Sequence, residues 1–384
     1  MSRATPLVSV VIPTYQSAAT VADTIESALV QTLKEIEVVV VDDGSRDDTA
    51  AIVEAITRRD PRVRIVQQEN RGVAAARNAA IEVARAPTIA PLDSDDLWFP
   101  HKLEAQLARL ELGGPEMGFV YGWSTVIDAQ GRTIDLAPAW GIEGRVLPAL
   151  VWTHFCGSAS SPLFRRSALD EVGCYDPSLR AADAEGCEDW DLVLRVAERF
   201  AVGVVPSYVV AYRKVAGSMS AGDAALARSY AIMMGRVQRA HPELPDELFA
   251  WSRSRFFAYL SGVSVTNDRF DRALVWMLRA FRHDPLGTLS VEHVRQIAEY
   301  LVRIAIGPLR PAPGTRASAW LERASRLRQS RHVTPRVAVD PDRDPPYGHL
   351  PWEGARSSLR ARVQAARWTR TIGGPAAASD GSES

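Results

Sequence analysis

Asp93-Ser94-Asp95-Asp96 sets three carboxylates within four residues, directly after the apolar run Thr88–Leu92. Two carboxylates one residue apart at a strand end, here Asp93 and Asp95, offer oxygen ligands to a hard divalent cation such as Mn²⁺ or Mg²⁺. Such a pair alone repels an anionic substrate; with a cation bound it becomes a clamp for a diphosphate. A second acid pair, Asp42-Asp43, closes the run Ile36–Val41 and leads into Gly44-Ser45, an ordinary turn sequence. A third group, Glu188-Asp189 with Asp191, opens an amphipathic segment, where acids are common first-turn residues. Taken singly, each string is as well read as a solvated loop or a helix start. Two of them closing apolar strands of one α/β unit is the arrangement that calls for chemistry.

The elements that must aim these acids are legible from periodicity. Leu7–Ile12 is short, apolar and β-branched and ends at Pro13, and Ala18–Gln31 carries Val21, Ile25, Ala28 and Leu29 on one helical face. Ile36–Val41 is apolar almost throughout, as suits a strand buried on both faces of a parallel sheet. Thr49–Ile56 and Val73–Val83 read as helices, Val63–Val66 and Thr88–Leu92 as strands. This alternation predicts βαβ units, an α/β fold with a mainly parallel sheet flanked by helices, and ligands beyond the carboxyl ends of its strands. Further on, Pro100–Leu112 and Glu188–Phe200 read as helices, Phe119–Ile127 as a strand and Val202–Tyr212 as a strand pair, whereas residues 132–165 carry little periodicity. From Asp223 the pattern is helical, with a hairpin over Phe256–His283 that turns near Thr266-Asn267-Asp268.

A chain of 384 residues suits two or three domains, and the boundaries expected are 1–220, 221–308 (helical) and 309–384. The last segment holds 13 arginines, no lysine and 7 acids, a net of +6, which leaves −7 for residues 1–309. Its Pro, Gly, Arg and Ser content reads as a largely disordered tail, with short amphipathic stretches at Ala317–Leu327 and Ser357–Trp368. The whole-chain charge of −1 argues against nucleic acid as a partner. Three cysteines, Cys156, Cys174 and Cys187, without paired spacing read as reduced thiols. Neither a signal peptide nor an apolar run of spanning length is evident. The location expected is cytoplasmic, and the tail's functional reading is a peripheral contact at the inner face of an anionic membrane.

Five runs taken together carry a specific resemblance: PLVSVVIPTYQ (6–16), VVVVDDGSRDDT (38–49), NRGVAAARN (70–78), LDSDDLWFPHKLEAQ (92–106) and CEDWDLVLR (187–195). In this order and at these separations the chain resembles the inverting family 2 glycosyltransferases over about residues 6–215. The resemblance implies a GT-A fold over 1–220 and transfer of a sugar from a nucleoside-diphosphate sugar, a UDP-sugar first among donors, to a hydroxyl of a glycan, lipid-linked or protein acceptor. It assigns Pro13, Thr14, Tyr15 and Asp43 to the base, Arg77 to the nucleotide, and Asp93, Ser94 and Asp95 to the ribose, sugar and metal, with Asp95 and Asp93 as the metal ligands. Asp189 matches the family's general base, with Glu188 beside it. Gln16 stands where Asn is usual, Ala80 where Gly often follows the Arg-Asn pair, and Thr88 where an aromatic is common.

Rival readings fit less of the chain. A haloacid-dehalogenase-like phosphotransferase also uses a D-x-D string, but on its first strand and with Thr or Val two residues on, where Leu97 stands here. A Rossmann dehydrogenase would need a G-x-G-x-x-G after a strand, and none occurs. A nucleotide-sugar-binding scaffold without activity would not need Asp93, Asp95, Glu188 and Asp189 together. His101 and His154 read as isolated, and neither is assigned to metal.

Overall fold

The structure, a computed structural model, describes residues 5–214, 222–288 and 291–306. The first strand, β1 (Val8–Thr14), and β2 (Ile36–Asp42) are buried at every position, as suits their largely β-branched runs in a parallel sheet. Between them α1 (Val21–Leu29) turns Val21, Ile25, Ala28 and Leu29 inward. The chain continues through α2 (Thr49–Arg59), β3 (Val63–Gln67), α3 (Val73–Val83) and β4 (Thr88–Pro91). These strands form a parallel array in the order β3-β2-β1-β4, with Val8 level with Ile36 on one side and Thr88 on the other.

The sheet is mixed beyond β4. The next elements are β5 (Leu97–Trp98), α4 (Lys102–Leu112), β6 (Met117–Ile127), β7 (Thr133–Leu136), α5 (Leu147–Trp152), β8 (Leu163–Arg165), α6 (Arg166–Val172), α7 (Ser178–Ala181), α8 (Glu188–Arg199) and β9 (Ala201–Arg213). The order runs on as β4-β8-β6-β9-β5; β8 is antiparallel to both its neighbours, β6 and β9 are parallel, and β7 pairs with β6 alone. β9 is one strand of 13 residues rather than a strand pair. Pro206 and Ser207 sit where Gly122 and Trp123 pair with Val205 and Tyr208, so they form a bulge in a continuing strand. Proline lacks the N–H a ladder needs, and a bulge is where a sheet accepts it.

The described residues fall into two compact units, one of residues 5–214 and 224–252, the other of 222–223, 253–288 and 291–306. The second is helical. It comprises the end of α10 (Asp246–Thr266), which follows α9 (Asp223–Ala240), and then α11 (Phe270–His283), α12 (Pro285–Thr288) and α13 (Val291–Ile306). The hairpin turn falls at 267–269, with Asp268 in the left-handed region at φ +56°. Ala273, Met277 and Tyr300 form its core, and Asp223 accepts hydrogen bonds from Ser264 Oγ and Trp276 Nε1, both at 2.9 Å. Among the described residues no helix is long and apolar enough to cross a membrane. The tail from 309, with its two amphipathic stretches, lies outside the described residues.

Helix α8 seats on the sheet through a glycine. A Cβ on Gly118 of β6 would stand 2.5 Å from Val196 Cγ1 and 2.7 Å from Phe200 Cβ; Val196 is fully buried and has little room to give way. Gly118→Ala is therefore expected to cost about 1–3 kcal/mol, read as a lower urea midpoint. An unchanged midpoint would show that α8 does not depend on this approach.

Candidate active site

Three aspartates close β4, and the structure disposes of each differently. Asp96 is fully buried. It accepts hydrogen bonds from Ser160 Oγ (2.6 Å) and from the backbone N–H of Arg213 (2.9 Å), which ties the end of β4 to the 158–161 segment and to the end of β9. Arg213 also donates from Nε to the Asp95 carbonyl at 2.8 Å and from a terminal nitrogen to the carbonyls of Asp128 and Ala129. Asp93 pairs with Arg77, whose guanidinium is buried and lies 5.0 Å from the centre of the Tyr175 ring. Asp95 forms no ion pair among the described residues.

Burial, and next the charge of Asp93, push the Asp95 carboxyl up to about 6. Burial does the same to Asp96, which lies well above the usual carboxylate range. A cation at the Asp93–Asp95 end of the strand would offset the repulsion that raises Asp95. Among the described residues no cluster of three or more His, Cys, Asp and Glu could hold a metal by itself.

On the other side, the ends of β1 and β2 are zipped together. Asp43 donates its N–H to the Thr14 carbonyl at 2.8 Å. Its buried carboxylate accepts from Gln68 Nε2 (2.7 Å) and Arg71 N (2.8 Å) on one oxygen and from Gly72 N (2.8 Å) on the other. Two acceptors per oxygen leave one place on the second. Gly72 must be glycine, because φ is +88° and a Cβ would meet Arg180. Pro13 and Thr14 are buried in β1, whereas Tyr15 is half exposed. Gln16 adopts φ +50°, a conformation that asparagine enters more readily than glutamine, which accounts for the residue usual there. Ser94 is held from this side: Ser17 Oγ lies 2.7 Å from its hydroxyl, and Thr20 Oγ1 donates to its carbonyl at 2.8 Å.

The third acid group sits at the start of α8. Glu188 is buried, accepts the N–H of Gly186 at 2.8 Å, and has its carboxyl pushed up by burial. Asp189 accepts the N–H of Trp190 at 2.8 Å on Oδ1. Its other oxygen, Oδ2, faces His154 Nδ1 at 4.0 Å. The charge of neighbouring Asp191 is absorbed by Arg195 (2.8 Å) and Arg236. Arg195 further donates to the carbonyls of Val172, Gly173 and Cys174. Asn78, next to Arg77 on α3, exchanges two hydrogen bonds with the backbone of Tyr175, at 2.8 and 3.0 Å. The two halves are thus braced against each other, and Arg77 feels the charges of both Asp93 and Asp189.

Residues 9–173 match the family described as Glycosyl transferase family 2. The succinoglycan biosynthesis protein ExoO of Rhizobium meliloti is 34% identical over 253 residues, which span 59% of this chain and 70% of that protein. The chain belongs to glycosyl transferase family 2. Other relatives are much longer than the part they share. A chondroitin synthase of Escherichia coli is 33% identical over 197 residues, 50% of this chain and 27% of that protein. An uncharacterised glycosyltransferase of Rickettsia felis is 32% identical over 198 residues, 51% and 31%. The chain therefore spans about a third or less of the length of these two. Among solved structures, Staphylococcus aureus TarS aligns with 18% identity and a TM-score of 0.49, over 76% of this chain and 50% of that one. The mannosyltransferase PcManGT of Pyrobaculum calidifontis, in complex with GDP-Man and Mn²⁺, aligns with 18% identity and a TM-score of 0.49, over 85% and 81%.

The family's motifs thus fall where the sheet ends, but several residues around them gave no signal of their own. Ser160 is separated from Asp96 by 64 positions. His154 lies in a stretch without periodicity, and only the pairing of α5 with α8 brings it to Asp189. Asp96 belongs to the string that drew attention first; its burial is what makes it an anchor.

The acid cluster has a measurable signature. The folded chain holds the Asp95 proton more tightly, at about 6 against the ordinary 3.8, so the ionised carboxylate opposes folding above pH 6 and the penalty fades as pH falls toward 4. In chelator, Asp95→Asn should raise stability by about 1–3 kcal/mol at pH 8 and by less than half of that at pH 4.5, measured by urea unfolding. A gain that grows toward acid would contradict this electrostatic account.

Proposed function

We propose that the chain transfers a sugar from a nucleoside-diphosphate sugar to an acceptor hydroxyl with inversion, Asp189 acting as general base and a divalent cation, Mn²⁺ or Mg²⁺, assisting at Asp93 and Asp95. The observation that carries this reading is the division of acids: Asp93 and Asp95 at the end of β4, the second with raised proton affinity, and a separate carboxylate at the start of α8 with one oxygen left open. Asp93 and Asp95 would hold the cation, which would supply positive charge for the departing diphosphate. ExoO supports a sugar chain as the acceptor, and a UDP-sugar is the first donor to try.

Each half then has a task. The remaining acceptor place on Asp43 suits a ring N–H of the base, with the half-exposed Tyr15 beside it. Ser94, held by Ser17 and Thr20, keeps the acidic turn at a fixed height above the sheet. Arg77 keeps Asp93 in place and adds positive charge on the side from which the diphosphate departs. An acceptor hydroxyl is a poor nucleophile and needs a base within hydrogen-bond reach. Asp189 Oδ2 is the free oxygen for that proton, because Oδ1 is engaged by the Trp190 N–H. Attack from the face opposite the leaving diphosphate inverts the anomeric centre. A haloacid-dehalogenase-like role for Asp93 is disfavoured, since it closes the fourth strand and is ion-paired with Arg77.

Two substitutions separate the tasks. Asp95→Ala should abolish Mn²⁺-dependent donor binding by calorimetry, and with it transfer. Asp189→Asn should bind donor within about threefold of the parent yet lose on the order of 10²-fold or more in turnover. Full activity of Asp95→Ala in chelator, or parental turnover by Asp189→Asn, would overturn the respective assignment.

A further inference from the structure

His154 stands two residues beyond the end of α5, and its imidazole lies flat on Trp190, with ring centres 5.6 Å apart and planes inclined by 14°. Trp190 is itself fixed, since its Nε1–H donates to the Leu150 carbonyl at 2.9 Å. The stacking therefore sets the plane of the imidazole relative to the first turn of α8. In that plane Nδ1 faces Asp189 Oδ2 at 4.0 Å, the oxygen that no backbone N–H occupies. The ring's other nitrogen, Nε2, is buried and has no hydrogen-bond partner among the described residues. Packing alone does not explain such a residue. A phenyl ring would stack on Trp190 equally well without burying an unmatched polar atom, which costs about 1–3 kcal/mol.

We infer that His154 is a positioning residue for Asp189, its Nδ1 holding the carboxylate in the rotamer that turns Oδ2 toward the acceptor hydroxyl. This rests on the reading of Asp189 as the base. A separation of 4.0 Å is wider than a hydrogen bond, as catalytic contacts often are before substrate tightens them. The neutral ring suits the task, and burial favours it by pulling the imidazole below its ordinary range, against the opposing charge of Asp189. Once protonated, the ring would draw Asp189 into an ion pair and take away its capacity to accept a proton. The other groups whose charge couples to Asp189 are Arg77 from α3, Tyr175 and Cys156 from neighbouring loops, and Cys187 and Glu188 from the approach to α8. Arg77 is the only cation of that set and keeps its charge at any working pH, so His154 is the member able to gain positive charge as pH falls.

The test compares His154→Phe, His154→Asn and Asp189→Asn with the parent in donor affinity and in kcat from pH 5 to 9. His154→Phe keeps the stack and removes both nitrogens. It should lower kcat about 10-fold or more with donor Kd within twofold, and its acid limb should move to lower pH because one of the two inactivating protonations is gone. His154→Asn, whose amide nitrogen can take the place of Nδ1, should recover most of kcat while keeping the shifted limb. Parental kcat and acid limb in His154→Phe would overturn the inference. So would equal losses of kcat and donor affinity in both variants, which mark a purely structural residue. Should His154→Phe fail to fold, the limb of His154→Asn decides in the same way. Parental turnover by Asp189→Asn would remove the base assignment itself, whereas an inactive Asp189→Asn beside a normal His154→Phe would remove only this inference.

Discussion

Three carboxylates crowded at the end of one buried strand repel one another, and the surrounding structure is arranged around that repulsion. Asp96 gives up solvent altogether and is held by Ser160 and the Arg213 backbone. Asp93 is balanced by Arg77. Asp95 is left with neither remedy, and burial, followed by the charge of Asp93, raises its carboxyl. A fold stabilised by only about 5–15 kcal/mol in total keeps such an arrangement where a ligand can relieve it. Under the proposed function, a divalent cation held by Asp93 and Asp95 would supply that relief.

The same anchoring links the strand ends to the acceptor side. Arg77 and Asn78 are neighbours on α3, one turned to Asp93 and the other clamped to the Tyr175 backbone. Arg195 grips the carbonyls of 172–174 while pairing with Asp191 of its own helix. The first turn of α8 is therefore located by contacts that trace back through the 172–176 loop to β4. Gly118 sets the depth of the helix, and Asp191 is relieved of its charge by two arginines, so Asp189 is the acid of that turn with an oxygen to spare.

Much of this was legible in the residues alone. The βαβ half follows from β-branched runs alternating with 3.6-residue periodicity, and its elements match within a few residues because those strands are buried on both faces. The mixed half was less legible. Residues 132–165 form short pieces such as β7 and β8 that lie on partners far away in sequence, and Pro206 hides the continuity of β9. The acids were visible as acids, and the family motifs supplied their expected roles. What the sequence could not display is which oxygens remain open. Asp43 turns out to accept three hydrogen bonds from the chain itself, and Asp189 to have one oxygen engaged. His154 reads as isolated in the sequence because proximity across α5 and α8 is a tertiary fact with no local pattern to announce it.

The central claim is a single displacement in which Asp189 takes the proton and the diphosphate leaves from the opposite face. The anomeric configuration of the product tests it most directly, read from the anomeric proton coupling in the NMR spectrum after transfer from a UDP-α-sugar. The account predicts a β-linked product. An α-linked product would require two displacements or a front-face route, and would contradict the assignment of Asp189 as a base acting on the acceptor.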